Sequence, residues 1–402
     1  MERSRIGVWL IGAKGGVASA AILGLEALKL GLAEPTGLVT QLTQFSHLNV
    51  ADWTQLVVAG HDIRRRPLIE GVEQIAGQSR TAMSGMIEQC RKAIEEIDRR
   101  IRPGTVFGVG ATIAGLADAG VPRDETPHEA VARVGGDMAE FARNEKLSHV
   151  VVVNVASTEP AVDTSQLPAA WAEFEKLLDL GTKCPLPASS LYAIAALSQG
   201  FSYVNFTPSL GASLPAFDEL SRLQKACHFG CDGKTGETLM KSVLAPMFAR
   251  RNLQVKSWVG HNIFGNMDGR VLNDPANKQT KVASKDRLLR EILGYKPHTL
   301  ISIEYVPDLG DWKTAWDHIH FEGFLGVPMT LQFIWQGCDS FLAAPLVLDL
   351  IRLTELAHRR GHSGPMPFLA SFFKSPYGVV EHRFDRQFQM LEAWAEGQNN
   401  SQ

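Results

Sequence analysis

The run Ile6-Gly7-Val8-Trp9-Leu10-Ile11 passes directly into Gly12-Ala13-Lys14-Gly15-Gly16-Val17-Ala18-Ser19, and an apolar helical pattern follows through Ala20, Leu23, Leu25, Leu28 and Leu30. A short segment that is apolar at nearly every position reads as a strand buried on both faces. Strand, glycine turn and helix in that order form a cradle for a dinucleotide pyrophosphate. Glycines let backbone N–H groups approach the phosphates, and the helix N-terminus favours their charge. The spacing is Gly-x-x-Gly-Gly, with Ala18 and Ser19 where a last glycine is usual, so the flanking strand and helix carry the reading. An acid that reads the ribose is expected about twenty residues on. Thr36–Leu42 reads as the next strand and ends in Thr40-Gln41, with no carboxylate. Asp62, in Gly60-His61-Asp62-Ile63, is the next acid after a second apolar run; it either takes the ribose role or caps a turn.

The alternation continues. Val150-Val151-Val152-Val153-Asn154-Val155 reads as a central parallel strand, and it ends in Ala156-Ser157-Thr158-Glu159. Polar residues at the carboxyl end of such a strand face a ligand or cap a helix. Phe201–Phe206 followed by Thr207-Pro208-Ser209 repeats the form. Gly230-Cys231-Asp232-Gly233-Lys234-Thr235-Gly236-Glu237-Thr238 is glycine-rich but lacks the Gly-Lys-Ser/Thr ending of a triphosphate loop. Cys227 and Cys231 are spaced unusually for zinc and no second ligand pair follows, so no metal is expected. After residue 250 the strand patterns Val255–Val259, Thr299–Tyr305 and Met329–Trp335 alternate apolar and polar residues. This predicts a mixed or antiparallel sheet with one face exposed or in a subunit contact. Ala343-Ala344-Pro345-Leu346 then leads into an apolar helix through Leu350, Ile351 and Leu356, which returns to the first domain.

At 402 residues the chain is too long for one ordinary core, so two or three units are expected. The formal net charge is −3 and no acidic or basic tail is present, which argues against nucleic acid or an anionic membrane as partner. No apolar run approaches the roughly 18 residues of a membrane span. Met1-Glu2-Arg3-Ser4-Arg5 does not resemble a signal peptide, and five scattered cysteines fit free thiols in a cytoplasmic protein.

The turn Gly265-Asn266-Met267-Asp268-Gly269 leads to Lys281-Val282-Ala283-Ser284-Lys285. On a helix, lysines four apart share a face. Their repulsion is relieved if an anion such as phosphate lies between them, and crowding favours a neutral amine that can act as a base. A solvated basic face is the plainer alternative.

Together these segments resemble the inositol-1-phosphate synthases, over nearly the whole chain. The resemblance is carried by Gly233-Lys234-Thr235-Gly236-Glu237-Thr238 through Lys241-Ser242-Val243-Leu244 and by His261-Asn262-Ile263-Phe264-Gly265-Asn266-Met267-Asp268-Gly269 with Lys281 and Lys285. It continues in Gly310-Asp311-Trp312-Lys313, in Asp339-Ser340-Phe341-Leu342-Ala343-Ala344-Pro345-Leu346 and in Ser371-Phe372-Phe373-Lys374-Ser375-Pro376. The resemblance implies an NAD-dependent enzyme with no net redox change, acting on glucose 6-phosphate. Carbon 5 is oxidised, carbon 6 loses a proton, the enolate closes on carbon 1, and the ring ketone is reduced again. It implies that Lys281, Lys285, Lys374 and Asp339 are catalytic. Gly12, Ala13, Lys14, Gly15, Gly16, Val17, Asp62, Ser157, Thr158, Asp232 and Asp339 are expected around the cofactor. Asn205, Lys234, Asn262, Asn266, Asp268 and the three lysines are expected around the substrate. The implied fold is α/β, a Rossmann-like doubly wound parallel sheet with an inserted α+β catalytic and oligomerisation domain. Residues 1–240 with 335–402 form the NAD unit, 241–334 the insert, and the assembly is a homotetramer.

Two departures stand out. Many relatives have a further active-site lysine in Lys-Tyr-Met-Lys-Pro, and here Glu304-Tyr305-Val306-Pro307-Asp308 puts proline in the second lysine's place. Proline can neither move a proton nor stabilise an oxyanion. The relatives' Asn-Gly-Ser-Pro-Gln-Asn turn is here Asn205-Phe206-Thr207-Pro208-Ser209-Leu210. Either another residue substitutes, or the substrate differs. With fructose 6-phosphate the same steps close a five-membered ring. A cofactor-binding protein without cyclase activity is the third alternative.

Overall fold

The computed structural model describes residues 4–272 and 288–398. The strands, in chain order, are β1 Ile6–Ile11, β2 Leu56–Asp62, β3 Ile101–Pro103, β4 His149–Asn154, β5 Ser202–Asn205, β6 Cys227–Gly230, β7 Gln254–Phe264, β8 His298–Tyr305, β9 Trp312–Glu322, β10 Pro328–Cys338 and β11 Gly364–Pro365. Seven of them form one parallel sheet in the order β11-β6-β5-β4-β1-β2-β3. The chain fills the sheet to one side of β1 with β2 and β3, and to the other with β4, β5 and β6. The direction of winding therefore reverses at β1, and a crevice opens at the carboxyl ends of β1 and β4.

β1, β2 and β4 are buried at every position because helices cover both faces. Ile6, Val8 and Leu10 of β1 pack into one core with helices Gly16–Lys29, Leu68–Gln78, Ser84–Asp98 and Asp339–Arg359. Trp9 and Ile11 point into the other, with helices Pro127–Asn144, Ala188–Ser198 and Pro215–Leu223. This is the doubly wound sheet that the sequence predicts. Glycine is required inside β2: a Cβ on Gly60 would lie 2.2 Å from the Leu10 carbonyl oxygen and 2.8 Å from the Ala13 Cβ. Gly60→Ala is expected to cost about 3 kcal/mol or more, since β1 and the glycine turn would have to move apart; urea unfolding of the variant against the parent measures it.

The expected strand at Thr36–Leu42 is not one. Val39–Gln41 is a single 3-10 turn, and the strand beside β1 is β2. The backbone N–H groups of Val39 and Thr40 donate to the Asp349 carboxylate at 2.5 and 3.1 Å, and the Thr40 hydroxyl donates to it at 2.6 Å. Donors held by a side chain are not available to a ladder.

The remaining strands form a mixed sheet in the order β10-β9-β7-β8, with β9 antiparallel to both neighbours and β8 parallel to β7. Helix Gly236–Arg250 covers one face through Ala245 and Phe248, against Val255, Trp258, Ile319 and Phe321. Leu300 and Ile334 are exposed. Between helix and sheet lies a buried charge cluster. Lys241 Nζ sits 2.6 Å from Glu237 Oε1 and 3.7 Å from Asp317 Oδ1, and the Trp258 indole donates to Asp317 at 2.7 Å.

Candidate active site

The crevice at the winding reversal is a cavity of about 460 Å³, within the range of small-molecule sites. One end is the glycine turn. Gly12 has φ +81°, and a Cβ there would lie 2.8 Å from the Ala156 backbone; a Cβ on Gly16 would lie 2.5 Å from Ser340 Oγ. Helix Gly16–Lys29 begins here with no side-chain cap and no acidic residue in its first turn. An uncapped helix N-terminus walled by bare backbone fits the pyrophosphate of a dinucleotide. Gly12, Gly15, Gly16, Val17, Asp62, Ser157 and Thr158 all line this part of the cavity. Ala13 is packed in the core. Lys14 turns away from the cavity, its Nζ 2.7 Å from Asp98 Oδ1 and 2.9 Å from the Arg66 carbonyl. Asp62 Oδ2 accepts the Lys14 backbone N–H at 2.7 Å and Oδ1 that of Arg64 at 2.9 Å, so this acid braces the glycine turn as well as facing the cavity.

The other end is built by a crossing of two segments. Lys374 N–H donates to the Asp232 carbonyl at 2.7 Å, Cys231 N–H to the Ser375 carbonyl at 3.0 Å, and Gly233 bridges Phe373. The crossing brings the Lys374 ammonium to 2.7 Å from Asp232 Oδ1, while Asp232 Oδ2 is buried with no hydrogen-bond partner among the described residues. Asp339 begins the long helix from β10 and lies opposite; its Oδ1 accepts the Thr235 hydroxyl at 3.4 Å and its Oδ2 is 3.5 Å from Lys313 Nζ. Asn266 donates to Asp311 Oδ1 at 2.9 Å and accepts the Gly269 N–H at 3.0 Å, which closes the turn after β7. Asp311 also accepts the Ser340 N–H and hydroxyl, each at 2.9 Å, and burial raises its pKa.

Lys374 also lines a narrow adjoining cleft with Lys313, Asn262, Thr235, Glu237 and Thr238. Asn262 Oδ1 and Thr238 Oγ1 are buried there without a hydrogen-bond partner among the described residues. Polar atoms left so, beside two ammonium groups, suit a hydroxylated anionic ligand. Two expected substrate residues do not line either space. Asn205 holds its own loop, donating to the Ser209 carbonyl at 2.6 Å and accepting the Thr207 hydroxyl at 2.8 Å. The Lys234 ammonium is buried against Gln387, and burial together with the Lys374 charge lowers its pKa to about 7. Lys281, Lys285 and the side chain of Asp268 lie outside the described residues.

A family model described as myo-inositol-1-phosphate synthase, and named for NAD binding, matches residues 6–396. The chain belongs to this family. The inositol-3-phosphate synthase 1 of Bacteroides thetaiotaomicron is 32% identical over 400 residues, covering 94% of this chain and 91% of that protein. The crystal structure of the Caenorhabditis elegans inositol-3-phosphate synthase shares the fold, with a TM-score of 0.86 at 24% identity over 98% of this chain and 86% of that one. A myo-inositol-1-phosphate synthase-related protein of Thermotoga maritima gives 0.78 at 26% identity over 98% of each chain.

Within this family member, several cavity residues were not singled out from sequence. Lys313 and Asp311 sit in the matched Gly310-Asp311-Trp312-Lys313 segment, whose paired acid and lysine were the available signal. Glu159, by contrast, belongs to the Ala156-Ser157-Thr158-Glu159 segment expected to face a ligand or cap a helix; it lines the cavity and is buried. Its Oε1 accepts the Ser189 N–H at 2.9 Å and its Oε2 the Ser189 hydroxyl at 2.5 Å, yet burial outweighs these bonds and raises its pKa to about 7. The folded protein therefore keeps a proton that the unfolded chain has lost above about pH 4.5. Stability from this group is full below that pH and falls until about pH 7, by about 3 kcal/mol in all. Glu159→Gln, which stays neutral, is expected to be more stable than the parent by about that amount at pH 8 and by much less at pH 5; urea titrations at the two pH values test it.

Proposed function

We propose that the chain cyclises glucose 6-phosphate to an inositol phosphate with a bound nicotinamide dinucleotide as hydride carrier. The observation that carries this reading is the meeting of Lys374, Asp232 and Asp339 at one end of a cavity whose other end is a bare, uncapped glycine turn. NAD⁺, when bound, supplies hydride abstraction at carbon 5 and its return after ring closure. Gly12, Gly15, Gly16 and Val17 hold its pyrophosphate, with Asp62 and Ser157-Thr158 beside them. Lys374 donates to the sugar oxygen that gains negative charge as carbon 6 is deprotonated, and Asp232 keeps that ammonium in position. Asn262, Asn266 and Lys313 order the sugar hydroxyls. Lys281 and Lys285 hold the phosphate and move the carbon 6 proton, as the family resemblance implies. We further propose two units, residues 1–240 with 335–402 and residues 241–334, and a homotetramer in the cytoplasm built through the four-stranded sheet. No helix among the described residues is long and apolar enough to cross a membrane.

Fructose 6-phosphate is the second reading. Pro307–Leu309 is a 3-10 turn at the edge of the site, where the Gly265 N–H donates to the Gly310 carbonyl at 2.8 Å, and it carries no cation in place of the relatives' lysine. Incubation with NAD⁺ and each sugar phosphate, followed by phosphorus and carbon NMR, decides between them. An inositol phosphate from the glucose ester upholds the first reading. A five-membered cyclitol phosphate from the fructose ester overturns it in favour of the second, and no product from either removes both.

A further inference from the structure

Asp311 lines the cavity and is 2% exposed, and its carboxylate is turned to protein donors rather than to the open space. Oδ1 accepts Asn266 Nδ2 and the Ser340 hydroxyl, and Oδ2 accepts the Ser340 N–H, each at 2.9 Å. The Asp311 carbonyl accepts the Asp339 N–H at 3.2 Å. Cys338, the N-cap of helix Asp339–Arg359, makes no capping hydrogen bond with its own side chain. The orphan N–H groups of that first turn are instead met by Asp311, 29 positions before Ser340. A carboxylate there also faces the positive end of the helix dipole.

The same residue stands just before β9, two positions ahead of Lys313. Lys313 Nζ and Asp339 Oδ2 are 3.5 Å apart. Asp311 therefore locates both members of this pair, one through the chain and the other through the helix start. Asp311 is in turn fixed from the dinucleotide side. Its N–H donates to Gln78 Oε1 at 2.8 Å, and the Gln78 amide lies over Gly310, whose φ is +55° and where a Cβ would come within 2.6 Å of it. The Arg80 guanidinium lies 3.8 Å over the Trp312 ring. Ser340 Oγ stands 2.5 Å from where a Cβ on Gly16 would be. The helix that ends at Gln78, the glycine turn and the Lys313–Asp339 pair thus meet at one buried carboxylate.

We propose that Asp311 is a positioning residue of the cyclisation, holding the Lys313 ammonium and the Asp339 carboxylate at their working separation against the dinucleotide wall. The inference rests on the cyclase reading of the cavity and adds a residue to it. A displacement of about 1 Å in such a pair slows a reaction by about 10²-fold.

Asp311→Asn keeps the shape of the side chain but puts an amide donor where the Asn266 and Ser340 donors already converge. It is expected to lower kcat about 10²-fold, while the KM for the sugar phosphate and the NAD⁺ affinity by calorimetry stay within about threefold of the parent. The double variant with Asp339→Asn is expected to be as fast as Asp339→Asn alone, within about threefold, because Asp311 acts through that residue. A carboxylate that only stabilised the fold would lower the melting temperature and make the two losses multiply. Gln78→Leu removes the acceptor of the Asp311 N–H and leaves the carboxylate in place. It should lower kcat about tenfold, again without adding to Asp339→Asn, and it carries the test if Asp311→Asn does not fold. A fall in kcat of less than about threefold, or losses that multiply, overturns the proposal. The crystal structure of the variant gives a readout that needs no turnover. The Lys313–Asp339 pair should open beyond ion-pair distance, and an unchanged pair overturns the proposal. Absence of product from either sugar phosphate with the parent overturns the cyclase reading, and the separation in the crystal then decides the positioning by itself.

Discussion

Lys374→Met is expected to lower kcat about 10³-fold while leaving dinucleotide affinity and the fold nearly unchanged, the upper range for removal of one donor to a developing oxyanion. The backbone around it is pinned without the ammonium, through Lys374 N–H to the Asp232 carbonyl and the Cys231–Ser375 exchange at 3.0 and 3.2 Å. What the change removes is the cation that faces both the main cavity and the adjoining cleft. It also leaves the Asp232 carboxylate, with one oxygen already unpartnered, without its ion pair. A loss through instability is therefore separated by the double variant Lys374→Met with Asp232→Asn. That protein should regain the parent's melting temperature and remain inactive. Product formation by NMR, dinucleotide titration and thermal unfolding read the three quantities. Activity of the single variant within tenfold of the parent would remove Lys374 from the chemistry.

Lys241→Met is expected to cost about 3–5 kcal/mol, because it takes the cation away from between two buried carboxylates. Lys241, Glu237 and Asp317 are each almost wholly shielded from solvent, and Lys241 lies 2.6 Å from one acid and 3.7 Å from the other. The space cannot open to admit relief, since a Cβ on Gly260 would already lie 2.7 Å from Glu237 Oε1. The damage should reach the site. Glu237 stands in the first turn of helix Gly236–Arg250, two residues after the Thr235 that touches Asp339. Adding Glu237→Gln should recover part of the loss, as one of the negative charges is then gone. Urea unfolding at neutral pH measures both proteins, and a single-variant cost below about 1 kcal/mol would show that the cluster is better hydrated than its burial indicates.

The site shows how far a sequence can be read. The glycine turn was legible because its parts are adjacent in the chain: a strand, four constrained residues and a helix start form a local pattern that any parallel sheet must use in the same way. Asp62 was legible as the next acid, but its second task, bracing the Lys14 N–H, depends on β1 and β2 lying side by side. Thr36–Leu42 was misread because its backbone donors are taken by Asp349, 310 positions from Val39. Asn205 and Lys234 sit in recognisable motifs, yet one holds a loop and the other meets Gln387, 153 residues on.

The sequence by itself determined the elements and the class of sheet, because hydrophobic periodicity and glycine turns act over a few residues and fix backbone conformation locally. It also determined the family, because long motifs survive in register. Only the tertiary structure decided that Lys374 meets Asp232 and that Asp339 meets Lys313. Those outcomes depend on which side chains are brought to one place and shut away from water. Burial and pairing are set by the three-dimensional neighbours of a charge, and a linear chain does not contain them.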